Sequence, residues 1–187
     1  MENYNPVLES SSLVNILTLR YDPSIESNLP KKTWKDFESI DESPNMSFIE
    51  NSICNSLEQK LKTFKGKKIC IALSGGVDST LVLSLIRKIK PDITIEAVSI
   101  KFADSVDETT TASNIAETFD ANHNVVYLEN YLSELPKAIS IVKLPFWDLH
   151  WYYVVKKSQT LSKILISGDG GDELFGGYTF RYNKFLS

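Results

Sequence analysis

The apolar residues after position 47 follow two alternating patterns, short continuous runs and longer stretches with a helical period. Residues 68–73, KICIAL, form a run of strand length, which is typical of a strand buried on both faces of a parallel sheet. From Thr80 to Lys90 the apolar residues recur every three or four positions, and Pro91 follows directly. Because proline cannot continue a helix, we predict a strand over 68–73 and a helix over 80–90.

The same alternation continues to residue 166. It predicts strands over residues 94–102, 125–128 and 163–166, and helices over residues 107–119, 133–142 and about 149–162. Strands and helices that alternate with short connections indicate an α/β fold, a doubly wound parallel sheet with helices on both faces and right-handed crossovers. In such sheets, ligands bind beyond the carboxyl ends of the strands.

A capping-box pattern precedes the first strand. Ser47 and Glu50 have the S-x-x-E spacing, in which Ser47 would accept from the Glu50 amide and the Glu50 side chain would bond back to the Ser47 amide. The apolar residues that follow keep a helical spacing as far as Phe64, and Gly66 ends the run. The pattern therefore predicts a helix from about 48 to 65.

Residues 1–46 differ from the rest of the chain. They contain four of the seven prolines and many serines and asparagines, with no sustained period of either 2 or 3.6 residues. We interpret residues 1–46 as an N-terminal arm and residues 47–187 as one domain. A chain of 187 residues suits one ordinary domain with a short appendage.

Composition and charge exclude several classes of protein. With 42% hydrophobic and 24% charged residues, the chain has enough apolar surface for a sizeable core. No apolar run approaches the roughly 20 residues of a membrane-spanning helix, and the N-terminus has neither region of a signal peptide, so we expect a cytoplasmic protein that binds no membrane. The net charge is −4, with both signs mixed along the chain, so no basic field predicts binding to nucleic acid.

The cysteines, histidines and clustered aromatic residues have structural interpretations. Cys54 and Cys70 are too few for a disulfide framework or a zinc site, and Cys70 lies in the first apolar run, where we expect a plain core residue. His123 and His150 lie outside the two glycine-rich segments described next, and we expect structural or surface roles for them. We interpret the aromatic cluster 146–153 as core or oligomer interface rather than as a surface that stacks a base.

The first glycine-rich segment, Ser74-Gly75-Gly76-Val77-Asp78-Ser79, lies between the first strand and its helix. Glycines allow a sharp turn and bring backbone amides close to a phosphate, the serines add hydroxyl donors, and the helix N-terminus adds a positive dipole. The segment is neither a Walker loop nor a dinucleotide-binding turn. A glycine turn needed only for strand-helix packing is the alternative, but Asp78 beside an anion favours a bridging cation such as Mg²⁺.

The second glycine-rich segment, residues 167–178 (SGDGGDELFGGY), directly follows the predicted fourth strand. Three carboxylates and five glycines in twelve residues suit neither a helix nor a strand, so we interpret the segment as a metal-binding loop. A solvated acidic turn is the alternative. Both segments should lie at the same edge of the sheet, where Asp78 and Asp172 would share one Mg²⁺ between them.

The two segments resemble the signatures of a known family. Residues 74–79 are similar to the pyrophosphate loop of the N-type ATP pyrophosphatases, which cleave ATP between the α and β phosphates. Residues 167–178 resemble the second signature of the asparagine synthetase and β-lactam synthetase family. Asp107-Glu108, Pro145 and Asp148 also stand where asparagine synthetases commonly have similar residues. The resemblance implies an adenine nucleotide alpha-hydrolase-like fold.

The resemblance covers about residues 48–183 and implies a role for each matching residue, with ATP and Mg²⁺ as cofactors. The implied ATP-binding residues are Leu73, Ser74, Gly75, Gly76, Asp78, Ser79, Ile100, Ser167 and Gly168. Of these, Leu73 and Ile100 would border the adenosine. Asp78 and Asp172 are the implied metal ligands. Asp169 and Asp172 are the implied catalytic residues, and Asp169 takes the position of an acidic residue important for adenylation and for the attacking amine.

The activity implied by the resemblance is that of an ATP-dependent, amide-forming synthetase. The protein would activate a carboxylate, with aspartate as the leading acceptor, as an acyl-adenylate, release pyrophosphate and use free or partner-delivered ammonia. The alternative is a shortened homologue that binds ATP and Mg²⁺ in a regulatory or partner-dependent role. An adenylating enzyme that acts on RNA is disfavoured by the acidic net charge and the lack of a candidate sulfur-transfer cysteine.

Two departures from the family pattern bear on the expected partners. Glu2 stands where glutamine-dependent members have the nucleophilic cysteine of a glutaminase domain, so we expect that domain to be lacking, together with most of the helical region after the second signature. Glutamine should then not serve as the nitrogen donor. We expect a homodimer or a separate partner subunit to complete the pocket, with a small-molecule carboxylate and ammonia as substrates and no nucleic acid.

Overall fold

The computed structural model describes residues 10–19, 45–103, 107–142 and 149–178. The chain divides into two units, Met1–Pro44 and Asn45–Ser187. Three positions singled out in the sequence, Glu2, Pro145 and Asp148, lie outside the described residues, as do the first residues of the aromatic cluster 146–153.

The described part of the first unit is one helix, α1, over Ser10–Leu19. This helix lies within the predicted N-terminal arm, whose sequence has no sustained hydrophobic period that would predict it. Leu13 and Val14 are both exposed in the helix.

The described part of the second unit alternates helices and strands. The helices are α2 (Met46–Lys62), α3 (Val77–Ile89), α4 (Thr109–Thr118), α5 (Leu135–Val142), α6 (Leu149–Gln159) and α7 (Gly171–Phe175), with a 3₁₀ turn over Tyr131–Glu134 before α5. The strands are β1 (Lys68–Ala72), β2 (Thr94–Phe102), β3 (Ala121–Leu128) and β4 (Leu165–Ile166).

The four strands form one parallel sheet in the order β3-β2-β1-β4. In the register, Ile71 of β1 lies opposite Ala97 of β2 on one side and Ile166 of β4 on the other. The chain moves outward from β1 to β3 and then returns to the far side of β1. This order confirms the predicted doubly wound sheet and leaves the carboxyl ends of β1 and β4 side by side.

Helices cover both faces of the sheet. On one face, the core cluster contains residues of α2, α3 and α4 packed on β1 and β2, including Leu61, Leu83, Ile86, Ala112, Ala116, Ile69 and Ile95. On the other face lies α6, whose Tyr153 and Val154 are buried. Cys70 is fully buried beneath α6, with Sγ 3.7 Å from the carbonyl oxygen of Ser158, so its expected role as a core residue is confirmed.

Helix α2 begins earlier than the capping box predicts. Its N-cap is Asn45, whose side-chain oxygen accepts from the amide of Phe48 at 3.0 Å, and Ser47 lies inside the first turn. The predicted Ser47–Glu50 box is therefore wrong. Asparagine ranks with serine as an N-cap, and a start at Met46 adds residues to the helix, so the earlier cap is the better one.

Strand β3 begins four residues before the start that the apolar pattern predicts, because its first half is polar. The side-chain amides of Asn122 and Asn124 donate to the Glu96 carboxylate of β2 at 3.3 and 3.0 Å. Lys68 of β1 donates to the same carboxylate at 3.2 Å. Hydrogen bonds across the sheet thus replace the hydrophobic packing from which a strand is normally recognised.

The other boundaries differ by smaller amounts. Helix α3 begins at Val77 rather than near residue 80, so the second half of the first glycine-rich segment is already helical. Strand β4 has only two residues, Leu165 and Ile166. Within the described ranges, each helix is too short or too polar to cross a membrane.

Candidate functional site

The carboxyl edge of the sheet opens into a cavity of about 700 Å³. Its described walls come from the ends of β1 and β2, from α4 and α6, and from both glycine-rich segments. A cavity of this size is in the range of about 300–1,000 Å³ that small-molecule sites occupy. The sheet topology therefore brings the two segments to one site, as the sequence predicts.

The first glycine-rich segment forms a turn that its own serines stabilise. The Ser74 amide donates to Ser79 Oγ at 3.2 Å, the Gly76 amide donates to Ser74 Oγ at 3.2 Å, and the two hydroxyl oxygens lie 3.0 Å apart. Ser79 is buried, and its hydroxyl is 3.3 Å from the carbonyl oxygens of Ser74 and of Gly76. The single proton of Ser79 is thus used inside the turn, whereas Ser74 is exposed at the cavity.

Gly75 and Gly76, both expected near the pyrophosphate, are absent from the described residues that line the cavity. A Cβ on Gly75 would meet the Thr111 side chain at 3.2 Å, so the lack of a side chain lets α4 pack closely against the loop. The turn directs the chain into α3. The amides of that helix's first turn have no acceptor within the helix and are the natural donors for an anion.

The second glycine-rich segment contacts the first at Gly168. A Cβ on Gly168 would lie 2.6 Å from the backbone nitrogen of Ser79 and 2.7 Å from the carbonyl carbon of Asp78, distances that real side chains do not adopt. Gly170 has a φ of 93°, in the left-handed region, and leads into α7. Glycine at these two positions therefore lets the segments touch and turns the chain along the cavity.

Asp78 and Asp172, the expected metal ligands, both line the cavity. The Asp78 carboxylate packs against Gly171, and the Asp172 carboxylate packs against Gly177. Among the described residues, no three His, Cys, Asp or Glu side chains are grouped so that they would hold a metal ion by themselves. Mg²⁺ is commonly bound by one or two carboxylates together with substrate phosphates, so these oxygen donors fit an ion that arrives with a nucleotide.

Asp169 lies exposed at the mouth of the cavity. The Ser167 hydroxyl donates to its carboxylate at 3.2 Å. Farther along the segment, the Tyr178 hydroxyl donates to Glu173 at 2.9 Å. Each of these carboxylates is thus oriented by a hydroxyl group from its own segment.

An apolar wall lies in the same cavity. Leu73 and Ile100, which the resemblance assigns to the adenosine, both line it. The wall is extended by Val98, Phe102, Ala112, Trp151 and Val154. Apolar surface with a few placed polar groups is typical of a small-molecule site.

Two residues of α6, His150 and Trp151, line the cavity. His150 is exposed, as expected for a surface histidine, and the expected core or interface role of the aromatic cluster that includes Trp151 stays a prediction. The ring centroids of the two residues lie 5.6 Å apart. The periodicity of α6 predicts a helix but not which end of the sheet it crosses, so no sequence signal places these two side chains at the site.

Glu108, the N-cap residue of α4, lines the cavity, and the side chain of its neighbour Asp107 accepts from the first amide of the helix. The Asp107 carboxylate accepts from the hydroxyl and from the amide of Thr109, and these hydrogen bonds hold the pKa of Asp107 below its ordinary value. The family resemblance includes both Asp107 and Glu108. Of these two residues, only Glu108 lines the cavity.

The cavity is acidic. Its described lining contains five carboxylates and neither lysine nor arginine: Asp78, Glu108, Asp169, Asp172 and Glu173. A polyphosphate without accompanying cations would be repelled by this wall. The donor set thus favours a ligand that brings a divalent cation with it.

The doubly wound parallel sheet with both glycine-rich segments at its carboxyl edge is an adenine nucleotide alpha-hydrolase-like fold. A glutamine-dependent NAD+ synthetase from Acinetobacter baumannii, solved with ADP, has a similar fold, with a TM-score of 0.55 at 15% identity over 76% of this chain and 29% of that one. Residues 55–187 match the family model of asparagine synthase. The chain belongs to the asparagine synthase family.

Curated relatives extend the comparison. The chain is 34% identical over 118 residues, 60% of its length, to a putative glutamine-hydrolyzing asparagine synthetase of Methanocaldococcus jannaschii. It is 31% identical over 120 residues, 62% of its length, to glutamine-hydrolyzing asparagine synthetase 1 of Bacillus subtilis. The matches span 23% and 19% of these two relatives, so the chain corresponds to about a fifth of each.

Proposed function

We propose that the cavity binds ATP together with Mg²⁺ and that the protein is an ATP-dependent, amide-forming ligase of the asparagine synthetase type. The observation that carries this proposal is the contact of the two glycine-rich segments at Gly168. That contact sets a helix N-terminus and a pair of carboxylates around one cavity. Membership of the asparagine synthase family supports the use of ATP.

The proposed nucleotide position follows from the cavity walls. The adenosine would lie against the apolar wall between Leu73 and Ile100, with the backbone of Ser167 and Gly168 beside it. The pyrophosphate moiety would lie at Ser74 and the first turn of α3, where backbone amides and the helix dipole favour an anion. Ser79 would support this subsite by holding the turn.

Asp78 and Asp172 are the proposed ligands of Mg²⁺. When bound, the ion would offset the phosphate charge that the acidic wall otherwise repels and would stabilise the charge on departing pyrophosphate. The two side chains come from different segments. The ion's position would therefore depend on the contact between the segments.

The proposed chemistry makes a carboxylate reactive towards ammonia. A substrate carboxylate oxygen, with aspartate as the leading acceptor, attacks the α phosphorus of ATP, the bond from that phosphorus to the oxygen shared with the β phosphate breaks, and pyrophosphate leaves. Ammonia then attacks the acyl carbon and loses a proton, AMP leaves, and the amide forms. Positioning and charge stabilisation supply most of the catalysis of the first step.

Asp169 is the proposed catalytic carboxylate for the second step. It lies exposed at the cavity mouth, and the Ser167 hydroxyl orients its carboxylate. A carboxylate there would accept the proton of the attacking ammonia or stabilise the charge on the nitrogen. Asp172 lies three residues farther along the chain, and its proposed catalytic role is to bind Mg²⁺.

Substitution of Asp78 tests the nucleotide site. Asp78→Asn should weaken the binding of Mg-ATP in titration calorimetry by about tenfold or more, because one of two metal ligands loses its charge. Glu173→Gln is the matched control, since it removes a carboxylate from the same cavity without touching a proposed metal ligand. Unchanged Mg-ATP affinity in Asp78→Asn, or an equal loss in both variants, would contradict the metal assignment.

Substitution of Asp169 tests the chemistry. With aspartate and ammonium present, Asp169→Asn should lower the rate of pyrophosphate release about 100-fold or more while Mg-ATP affinity stays unchanged. Pyrophosphate is measured with malachite green after treatment with pyrophosphatase. Full activity of the variant would refute the proposed role.

The same assay separates the proposed ligase from a homologue that binds ATP and Mg²⁺ in a regulatory or partner-dependent role. Tight Mg-ATP binding without pyrophosphate release, across a panel of amino and dicarboxylic acids, would favour the binding role. Self-association or a partner subunit stays a prediction, which light scattering of the purified protein would test.

A further inference from the structure

The carbonyl oxygen of Leu73, the residue before the first glycine-rich segment, has an unusual partner. The Leu73 amide donates to Val98 O at 2.9 Å, as the parallel register requires. The register would pair the Leu73 carbonyl with the amide of Ile100, two residues farther along β2. The carbonyl instead accepts from the Ser99 hydroxyl at 2.6 Å.

A histidine supports this hydroxyl. Because the Ser99 proton is donated to Leu73, the Ser99 oxygen is left as an acceptor for His123 Nε2, which lies 2.9 Å away. His123 must therefore carry its proton on Nε2. Burial lowers the pKa of His123 and so favours the neutral imidazole.

We propose that Ser99 and His123 are positioning residues that fix the point where β1 ends and the first glycine-rich segment begins. This inference rests on the proposed nucleotide function. Leu73 and Ser99 both line the cavity, and Leu73 leads directly into Ser74. A shift of the Leu73 carbonyl moves the adenosine wall and the phosphate loop together.

The physical reason is the burial of the carbonyl. Leu73 is 3% exposed and Ser99 is 5% exposed, so water does not replace a lost hydroxyl donor readily. Without the Ser99 proton, the donor that the parallel register offers to the carbonyl is the Ile100 amide. That pairing would extend β1 by one residue and pull Ser74 out of its turn.

The first experiment measures Mg-ATP affinity by titration calorimetry in Ser99→Ala, Ser99→Thr and wild type. Ser99→Ala should lower the affinity about tenfold, and Ser99→Thr, which keeps the hydroxyl, should restore most of it. The matched control is Ser158→Ala. Ser158 is also buried, and its hydroxyl has no hydrogen-bond partner within the described part of the chain, so its removal should leave the affinity unchanged.

The second experiment measures which ring nitrogen of His123 carries the proton. The chain has two histidines, so a long-range ¹H–¹⁵N spectrum of the imidazoles is simple to assign with a His150→Gln variant. His123 should show the tautomer with the proton on Nε2 in wild type and should lose that preference in Ser99→Ala. His123→Leu, which removes the donor to Ser99, should weaken Mg-ATP binding about threefold.

Each outcome bears on the proposal. Equal affinities of Ser99→Ala and wild type would overturn it, and so would a His123 proton on Nδ1 in wild type. A failure of Ser99→Thr to restore what Ser99→Ala loses would also count against it. Wild type that binds no Mg-ATP would overturn the proposed function instead, and the imidazole spectrum would then still decide whether Ser99 and His123 hold the Leu73 carbonyl.

Discussion

A methyl group at Gly168 should separate the two glycine-rich segments. The Cβ of an alanine there would lie 2.6 Å from Ser79 N and 2.7 Å from the Asp78 carbonyl carbon, whereas ordinary contacts begin at 3.4 Å. The second segment would have to retreat by about 0.8 Å, because the opposing atoms are backbone atoms in the first turn of α3 and cannot rotate away. Overpacking of this kind costs about 1–3 kcal/mol of folding free energy.

The same displacement should cost more in function than in stability. It moves Asp172 away from Asp78, and a misplacement of about 1 Å can cost roughly 100-fold in an organised site. We therefore expect Gly168→Ala to lower Mg-ATP affinity at least tenfold in titration calorimetry, while chemical denaturation still shows a cooperatively folded protein.

Gly170→Ala provides the matched control for Gly168→Ala. A Cβ on Gly170 would have no heavy atom within 4 Å, but its φ of 93° strains an alanine by about 1–2 kcal/mol. This variant should therefore lose comparable stability and retain most of its affinity. Wild-type affinity in Gly168→Ala, or an equal loss in the two variants, would refute the reasoning.

Two further predictions concern stability. Arg87 donates to four backbone carbonyl oxygens, those of Phe119, Asp120, Pro91 and Ile93. A lysine cannot reach all four. Arg87→Lys should therefore lower the free energy of unfolding in urea denaturation by about 2 kcal/mol and leave Mg-ATP affinity unchanged. Burial raises the pKa of Glu96, but hydrogen bonds from Asn124, Lys68 and Asn122 outweigh it, and the folded-state pKa lies below the ordinary 4.5. Glu96 should thus add stability above pH 4.5 that is lost as the pH falls through its folded-state pKa, and Glu96→Gln should remove this part of the pH dependence of unfolding.

The parallel sheet and both glycine-rich segments follow from the sequence because their signals are local. A run such as residues 68–73 predicts a buried strand without knowledge of its neighbours, and β2 has the bounds that the pattern predicts, residues 94–102. The rule that ligands bind at the carboxyl ends then brings the two segments to one cavity. The alternation of element types carries most of this information.

Features that depend on tertiary partners do not follow from the sequence. Asn122 and Asn124 belong to β3 because Glu96 of the neighbouring strand accepts hydrogen bonds from both. The sequence around the two asparagines does not show that Glu96 will lie beside them. The hydroxyl of Ser79 likewise matches the phosphate-donor pattern, but its oxygen lies within hydrogen-bond distance of Ser74 and Gly76. The residue type is predictable in such cases, and its partner is not.

The lengths of the strands explain why a cavity exists at this edge at all. The ladder between β1 and β2 ends at the pair Ala72 and Val98, whereas β2 continues to Phe102. The last residues of β2 therefore project beyond β1 and form part of the wall, Ile100 and Phe102 among them. Since a buried strand end must satisfy its last carbonyl, a wall of this kind requires a donor where the two strands part. The Ser99 hydroxyl supplies that donor to the Leu73 carbonyl.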